Sequence, residues 1–202
     1  MATPHEPKQD RSRATRQRLL EATIDCLVER GWAGTTTTVI AERAGVSRGA
    51  QLHHYPTKAD LVLAAVGHLA ERRAAELRAE LRAEAGARPS GQQLDRVLDL
   101  LAAAFTGPLF VAALELWVAA RTDPDLRTAL VPLERRLGRE MHRLVVDLLG
   151  ADERQPGVWE AVHATLDLLR GFGVANLLSD DSPRRDPVLA AFKHHLAHAL
   201  RP

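Results

Sequence analysis

Residues 31–61 read GWAGTTTTVIAERAGVSRGAQLHHYPTKADL, and the punctuation of this stretch sets the architecture. Thr37 or Thr38 is placed to cap a short helix through Val39-Ile40-Ala41-Glu42-Arg43-Ala44, because a threonine hydroxyl can satisfy a free N–H of a first helical turn. Gly45 breaks that helix, and Ser47 is placed to cap a second one, Arg48 to Tyr55. Pro56 ends the second helix, and Thr57-Lys58-Ala59-Asp60 has the spacing of a capping box for a longer one. Two short helices about a tight glycine-containing turn have the spacing of a helix-turn-helix. They have equally the spacing of a generic corner in a helical enzyme, with the polar side chains a solvated face. Spacing alone leaves both readings open.

Outward from this stretch the pattern stays helical. From Arg11, Leu20, Ile24, Leu27 and Val28 fall on one stripe that stops at Gly31. Residues 1–12 hold two prolines and little apolar content and read as an arm. Downstream, a helix from Lys58 runs to about Glu84 and closes at Gly86 and Pro89. Ser90-Gly91-Gln92-Gln93 opens the next, and Gly107-Pro108 separates it from Leu109–Arg121. Asp123-Pro124 starts a long amphipathic helix ending at Gly150, because proline is favoured in a first helical turn. Val158–Leu178 follows, and Asp186-Pro187 starts the last helix, to Leu200. With no β-alternating run, the predicted class is all-α with about nine helices.

Composition agrees and excludes much. The chain has 202 residues, 46% of them hydrophobic but only 4% aromatic; Ala and Leu, both strong helix formers, carry the apolar content. One cysteine, Cys26, excludes an intramolecular disulfide framework and suits a reducing compartment. Its place between Ile24 and Leu27 predicts a small buried hydrophobe. The polar N-terminus has no signal-like apolar segment. Leu100–Ala120 is long enough to span a bilayer and holds a single charge, Glu115, but Gly107-Pro108 splits it. A pair of buried helices, no membrane and a cytoplasmic location are expected.

Residues 1–58 carry nine Lys/Arg against six Asp/Glu, while the remainder carries 18 against 20. A mildly basic head on a mildly acidic body hints at a polyanion partner. An α-helix fits the major groove of B-DNA, and residues near a recognition helix's N-terminus reach base edges. The second short helix presents Arg48, Gln51, His53, His54 and Tyr55, with Lys58 just beyond. Arginine can pair with guanine and glutamine with adenine, while the small Gly49 and Ala50 permit close approach.

Residues 31–61 resemble the N-terminal domain of TetR-family transcriptional regulators. The resemblance rests on Gly31-Trp32 ending helix 1, the threonines before helix 2 and Ile40-Ala41. It continues through Ala44-Gly45-Val46-Ser47 at the turn, then His54-Tyr55 and Thr57-Lys58, in the family's order and spacing. It covers about the first third of the chain. Gln51 and Leu52 depart from it, since the family often has Leu-Tyr there, and Tyr55 replaces the commoner Phe. The resemblance implies a helix-turn-helix domain over 13–73 and a helical effector-binding and dimerisation domain over 74–202. It implies a regulator of transcription that binds a double-stranded DNA operator, most commonly a repressor released by a small molecule. The expected DNA-contact set is Thr36, Thr37, Thr38, Ser47, Arg48, Gly49, Ala50, Gln51, His53, His54, Tyr55 and Lys58, with Lys58 on a phosphate.

The family typically dimerises through its last two long helices, which here implies a homodimer. Val158–Leu178 is apolar nearly all round. The expected interface is Trp159, Val162, Leu166, Leu169, Phe172, Gly173 and Leu177, with Leu189, Phe192 and Leu196 from the last helix. An effector pocket is expected from Phe105, Phe110, Trp117, Met141, Trp159 and His163, with Glu115, Arg121 and Arg170 supplying polarity. The competing class is a helical enzyme or metal-binding protein using His194, His195 and His198, of which 194 and 198 share a helix face. No carboxylate lies within a turn of them, and no phosphate loop, nucleophile elbow or zinc-protease motif is present. No catalytic group, metal or cofactor is therefore expected.

Overall fold

A computed structural model describes residues 8–84 and 90–200, so the expected arm before Lys8 and the closing Gly86 and Pro89 lie outside it, while residues 8–12, expected to belong to that arm, are the first turn of a helix. All nine elements described are helices: α1 (Lys8–Gly34), α2 (Thr37–Ala44), α3 (Arg48–His54), α4 (Lys58–Glu84) and α5 (Ser90–Phe105), then α6 (Pro108–Ala120), α7 (Pro124–Leu149), α8 (Val158–Ala175) and α9 (Ser182–Ala199). No strand occurs among the described residues. The chain separates into two compact units, Met1–Ala70 with Ala112–Leu133, and Glu71–Val111 with Glu134–Pro202.

In the first unit α1 packs on α2 and α2 on α3. The core is Leu19, Leu20, Ile24 and Leu27 of α1, Ile40 and Ala44 of α2, and Leu61, Val62 and Val66 of α4. Cys26 is fully buried among them, and burial pushes its thiol above the ordinary range. Arg43 of α2 binds Glu29 and lies 3.4 Å from Asp25, both of α1. Gln17 of α1 and His68 of α4 are 3.0 Å apart.

In the second unit α5 packs on α8 and α9, which also pack on each other. The core is Leu98, Leu101, Phe105 and Phe110 with Val162, Leu166, Leu169 and Phe172 of α8, and Leu189 and Leu196 of α9. Gly173 makes this closure possible. A Cβ there would collide with the Phe105 carbonyl and the Phe110 ring.

Most caps follow the local chemistry. Asp123 accepts from the Leu126 N–H at 3.0 Å, and Thr57 and Asp60 cap each other reciprocally at 3.2 and 3.0 Å. Besides the early start of α1, three boundaries differ. Thr36, not Thr37 or Thr38, caps α2, its hydroxyl accepting from the Val39 N–H. α8 stops at Ala175, where the Asn176 side chain accepts from the Asp181 N–H and turns the chain. α9 starts at Ser182 because Pro183 already occupies its first turn, which leaves Pro187 inside the helix. No single described helix is long and apolar enough to cross a membrane; α5 and α6 reach that length only together, as a bent pair.

Candidate nucleic-acid interface

The turn between α2 and α3 is made by Gly45, whose φ of 63° lies in the left-handed region that suits glycine. Its N–H bonds back to the Ala41 and Glu42 carbonyls, and the next residues extend to Ser47. The Ser47 hydroxyl accepts from the Ala50 N–H at 3.2 Å and starts α3. Two short helices thus meet at a fixed corner, and α3 has a definite outer side. Arg48, Gly49, Leu52 and His53 are exposed on it, and Ala50 is half-buried.

Gln51 is the correction. It points inward, fully buried, with its Nε2 donating to the Tyr55 carbonyl at 2.6 Å. Its Oε1 is buried with no hydrogen-bond partner. Position 51 falls on the inward side of α3, so glutamine here is buried where the family often has leucine, and it does not face outward toward a base. His54 and Tyr55 are half-buried at the C-terminal end of α3. Burial, with Arg16 and His53 nearby, holds the His54 pKa below its ordinary value, and burial raises that of Tyr55. His53 keeps its exposed place. Thr36 and Thr38 are exposed at the start of α2, and Thr37 is half-buried.

Lys58 is also placed differently from the expectation. Its Nζ donates to the Trp32 carbonyl and lies 3.7 Å from the centre of the Trp32 ring, and burial lowers its pKa. The Trp32 N–H is held as well, donating to Glu115 Oε2 of α6 at 2.9 Å. This is where Gly31 breaks α1, at a φ of 64°. A Cβ on Gly31 would lie 2.8 Å from the same carboxylate oxygen. The backbone of one residue, Trp32, is therefore gripped on both sides, its N–H from α6 and its C=O from α4. Sequence reasoning missed this clamp, although a lone glutamate in an apolar run signals that a partner must exist.

The profile described as "Bacterial regulatory proteins, tetR family" matches residues 19–65, which span the core of α1, α2, α3 and the start of α4. The HTH-type transcriptional regulator CymR of Pseudomonas putida is 32% identical over 193 residues, covering 93% of this chain and 92% of CymR. The chain belongs to the TetR family. The HTH-type transcriptional repressor AcnR of Corynebacterium diphtheriae is 34% identical over 122 residues, 60% of this chain and 58% of AcnR. Among solved structures, the multidrug binding protein EbrR complexed with imidazole matches at a TM-score of 0.61, with 20% identity over 93% of this chain and 95% of its own. Family membership makes the chain a DNA-binding transcriptional regulator.

The expected effector-pocket residues are not gathered within either unit. Glu115, Trp117 and Arg121 belong to the first and the other six to the second. Phe105 and Phe110, with ring centres 5.8 Å apart, are core against Gly173. Trp159 is 52% exposed and stacks on His163 at 3.8 Å, and His163 lies 4.7 Å from His142. Arg170 pairs with Asp167 at 2.6 Å, and Met141 is half-buried. A cavity of about 250 Å³ in the second unit is lined instead by Arg78, Leu81, Arg82, Gln93, Val97, Asp147 and Leu148.

The expected dimer residues need the same correction. Val162, Leu166, Leu169, Phe172, Gly173, Leu189 and Leu196 are buried inside the single chain. Only Trp159 and Leu177 are exposed, and Phe192 is half-buried. Because α8 is apolar nearly all round, its pattern did not say which side faces inward. The exposed side carries Ala164, Asp167, Gly171 and Val174, and that of α9 carries Val188, Ala191, His195 and His198. Among the described residues, no three His, Cys, Asp or Glu side chains are grouped to hold a metal.

Proposed function

We propose that the protein is a homodimeric repressor of transcription, released from its operator by a small molecule, and that it acts in the cytoplasm by binding and not by catalysis. The observation that carries the reading is the outer side of α3. A guanidinium, an imidazole and a side-chain-free glycine project together from a helix fixed by the Gly45 turn and the Ser47 cap. That surface suits a major groove. AcnR, a relative, is named a repressor, and EbrR, similar in fold, is a multidrug binding protein; both support the regulatory part of the reading. Residues 13–73 would bind DNA, and 74–202 would bind the effector and dimerise.

For self-association the exposed sides of α8 and α9 replace the buried residues. Ala164, Gly171 and Ala191 are small enough for close helix approach, and space around Gly171 is open to 4 Å. A two-fold operator also calls for a two-fold protein.

The test is fluorescence anisotropy with duplexes from the DNA flanking the protein's own coding sequence. Tight binding to one duplex at physiological salt is expected, with Arg48→Ala weakening it about tenfold or more, the loss of a good base contact. Equal, weak and strongly salt-dependent binding to every duplex would refute the reading.

A further inference from the structure

The outer side of α3 holds one side chain that water does not favour. Leu52 is 43% exposed, the one large exposed hydrophobe of the helix. It stands one helical turn beyond Arg48 and Gly49 and beside His53, so these four residues form a single surface. Gly49 adds no side chain, and nothing lies within 4 Å of the Cβ position there. A partner can therefore come close to the Leu52 isobutyl group. The fully buried position of α3 is Gln51, not Leu52.

The major-groove edges of the four bases carry donors and acceptors, and thymine alone adds an apolar group, its C5-methyl. We propose that Leu52 is a specificity-determining residue that packs on the C5-methyl of one thymine in each operator half-site. This rests on the reading of α3 as the recognition helix. Four residues of helix advance about 6 Å, so the thymine lies within about two base-pair steps of the base that Arg48 touches. Leu52 supplies an apolar contact and Arg48 a polar one, and together they read two different bases.

The experiment begins by enriching a duplex from a random-sequence pool with the full-length protein. Each thymine of the enriched duplex is then replaced, one at a time, by deoxyuridine, which keeps base pairing and removes only the methyl group. At one position per half-site the uracil form should bind about three- to fivefold more weakly, the effect of withdrawing one buried methyl. Leu52→Ala should bind the thymine and uracil forms alike, while Arg48→Ala keeps the discrimination. Because Leu52 is exposed, the Leu52→Ala protein should melt with the parent. Uracil effects that persist unchanged in Leu52→Ala, or no uracil effect at any position, overturn the assignment alone. A pool that yields no enriched duplex overturns the recognition-helix reading and this assignment with it.

Discussion

α3 and α8 each turn one side to solvent, and the two sides have opposite chemistry. α3 shows Arg48 and His53 around Leu52 and Gly49, while α8 shows Ala164, Gly171 and Val174 with Asp167. The first suits a polyanion with an apolar spot, and the second suits another helix. Their inward sides are secured differently too. In the first unit single polar bonds fix local geometry, at the Ser47 cap that starts α3 and at the Trp32 clamp. Around α8 it depends on contact distance, above all at Gly173. Helices that must present a set side chain at a set angle are held by directional bonds, and helices that only fill a core are held by fit.

The sharpest test of that contrast is a pair of glycines two residues apart. Gly173→Val should cost on the order of 3 kcal/mol, because backbone and ring must move to admit the side chain. Thermal unfolding should shift down by several degrees. Gly171→Ala, in open space, should leave the single chain's stability unchanged or raise it by up to about 1 kcal/mol. Equal losses at both positions would remove the distinction. At the same exposed side, Gly171→Arg should convert the proposed dimer to monomer in sedimentation without changing helical content.

In the first unit, Glu115→Ala leaves the Trp32 N–H without its acceptor and should cost about 1–3 kcal/mol by denaturant unfolding. Lys58→Ala removes a hydrogen bond and a cation–π contact and should cost about 1–2 kcal/mol. The slope of log affinity against log salt should stay as it was, since the ammonium is bound to Trp32. A flattened slope would return Lys58 to the phosphate backbone.

Gln51→Met should change stability by less than about 1 kcal/mol, because losing the bond to Tyr55 is offset by losing a buried, unpartnered oxygen. Operator preference should not change, whereas a shift of base preference would put Gln51 back at the groove. The smallest effect is in pH. His54 has a pKa below its ordinary value, so the unfolded chain takes up a proton first as pH falls below about 6.5. Stability should therefore decline from neutral pH toward 5, and His54→Gln should decline less.

How much was legible in the amino acids follows the same division. Ser47, Gly45, Asp123 and the Thr57–Asp60 box act on backbone groups within four residues, so their effect is written locally and the elements fell where they were expected. The helix-turn-helix and the exposed Arg48 came with them. Gln51 looked like a base reader because its chemistry fits adenine, but the side of α3 it occupies faces inward, which packing decides and spacing does not. The interface on α8 failed for a related reason. When apolar residues surround a helix, the inward side is chosen by what packs on it, here α5 and α9. Glu115 was visible as an isolated charge, but a partner 83 residues away in sequence was not.

The grip on Trp32 also makes the protein its own optical gauge. An ammonium fixed over an indole perturbs its excited state, so departure of either Lys58 or Glu115 from the Trp32 backbone would register as altered emission. With Trp117 and Trp159 replaced by Phe, a single unlabelled chromophore at the end of α1 would report whether an added compound loosens the head.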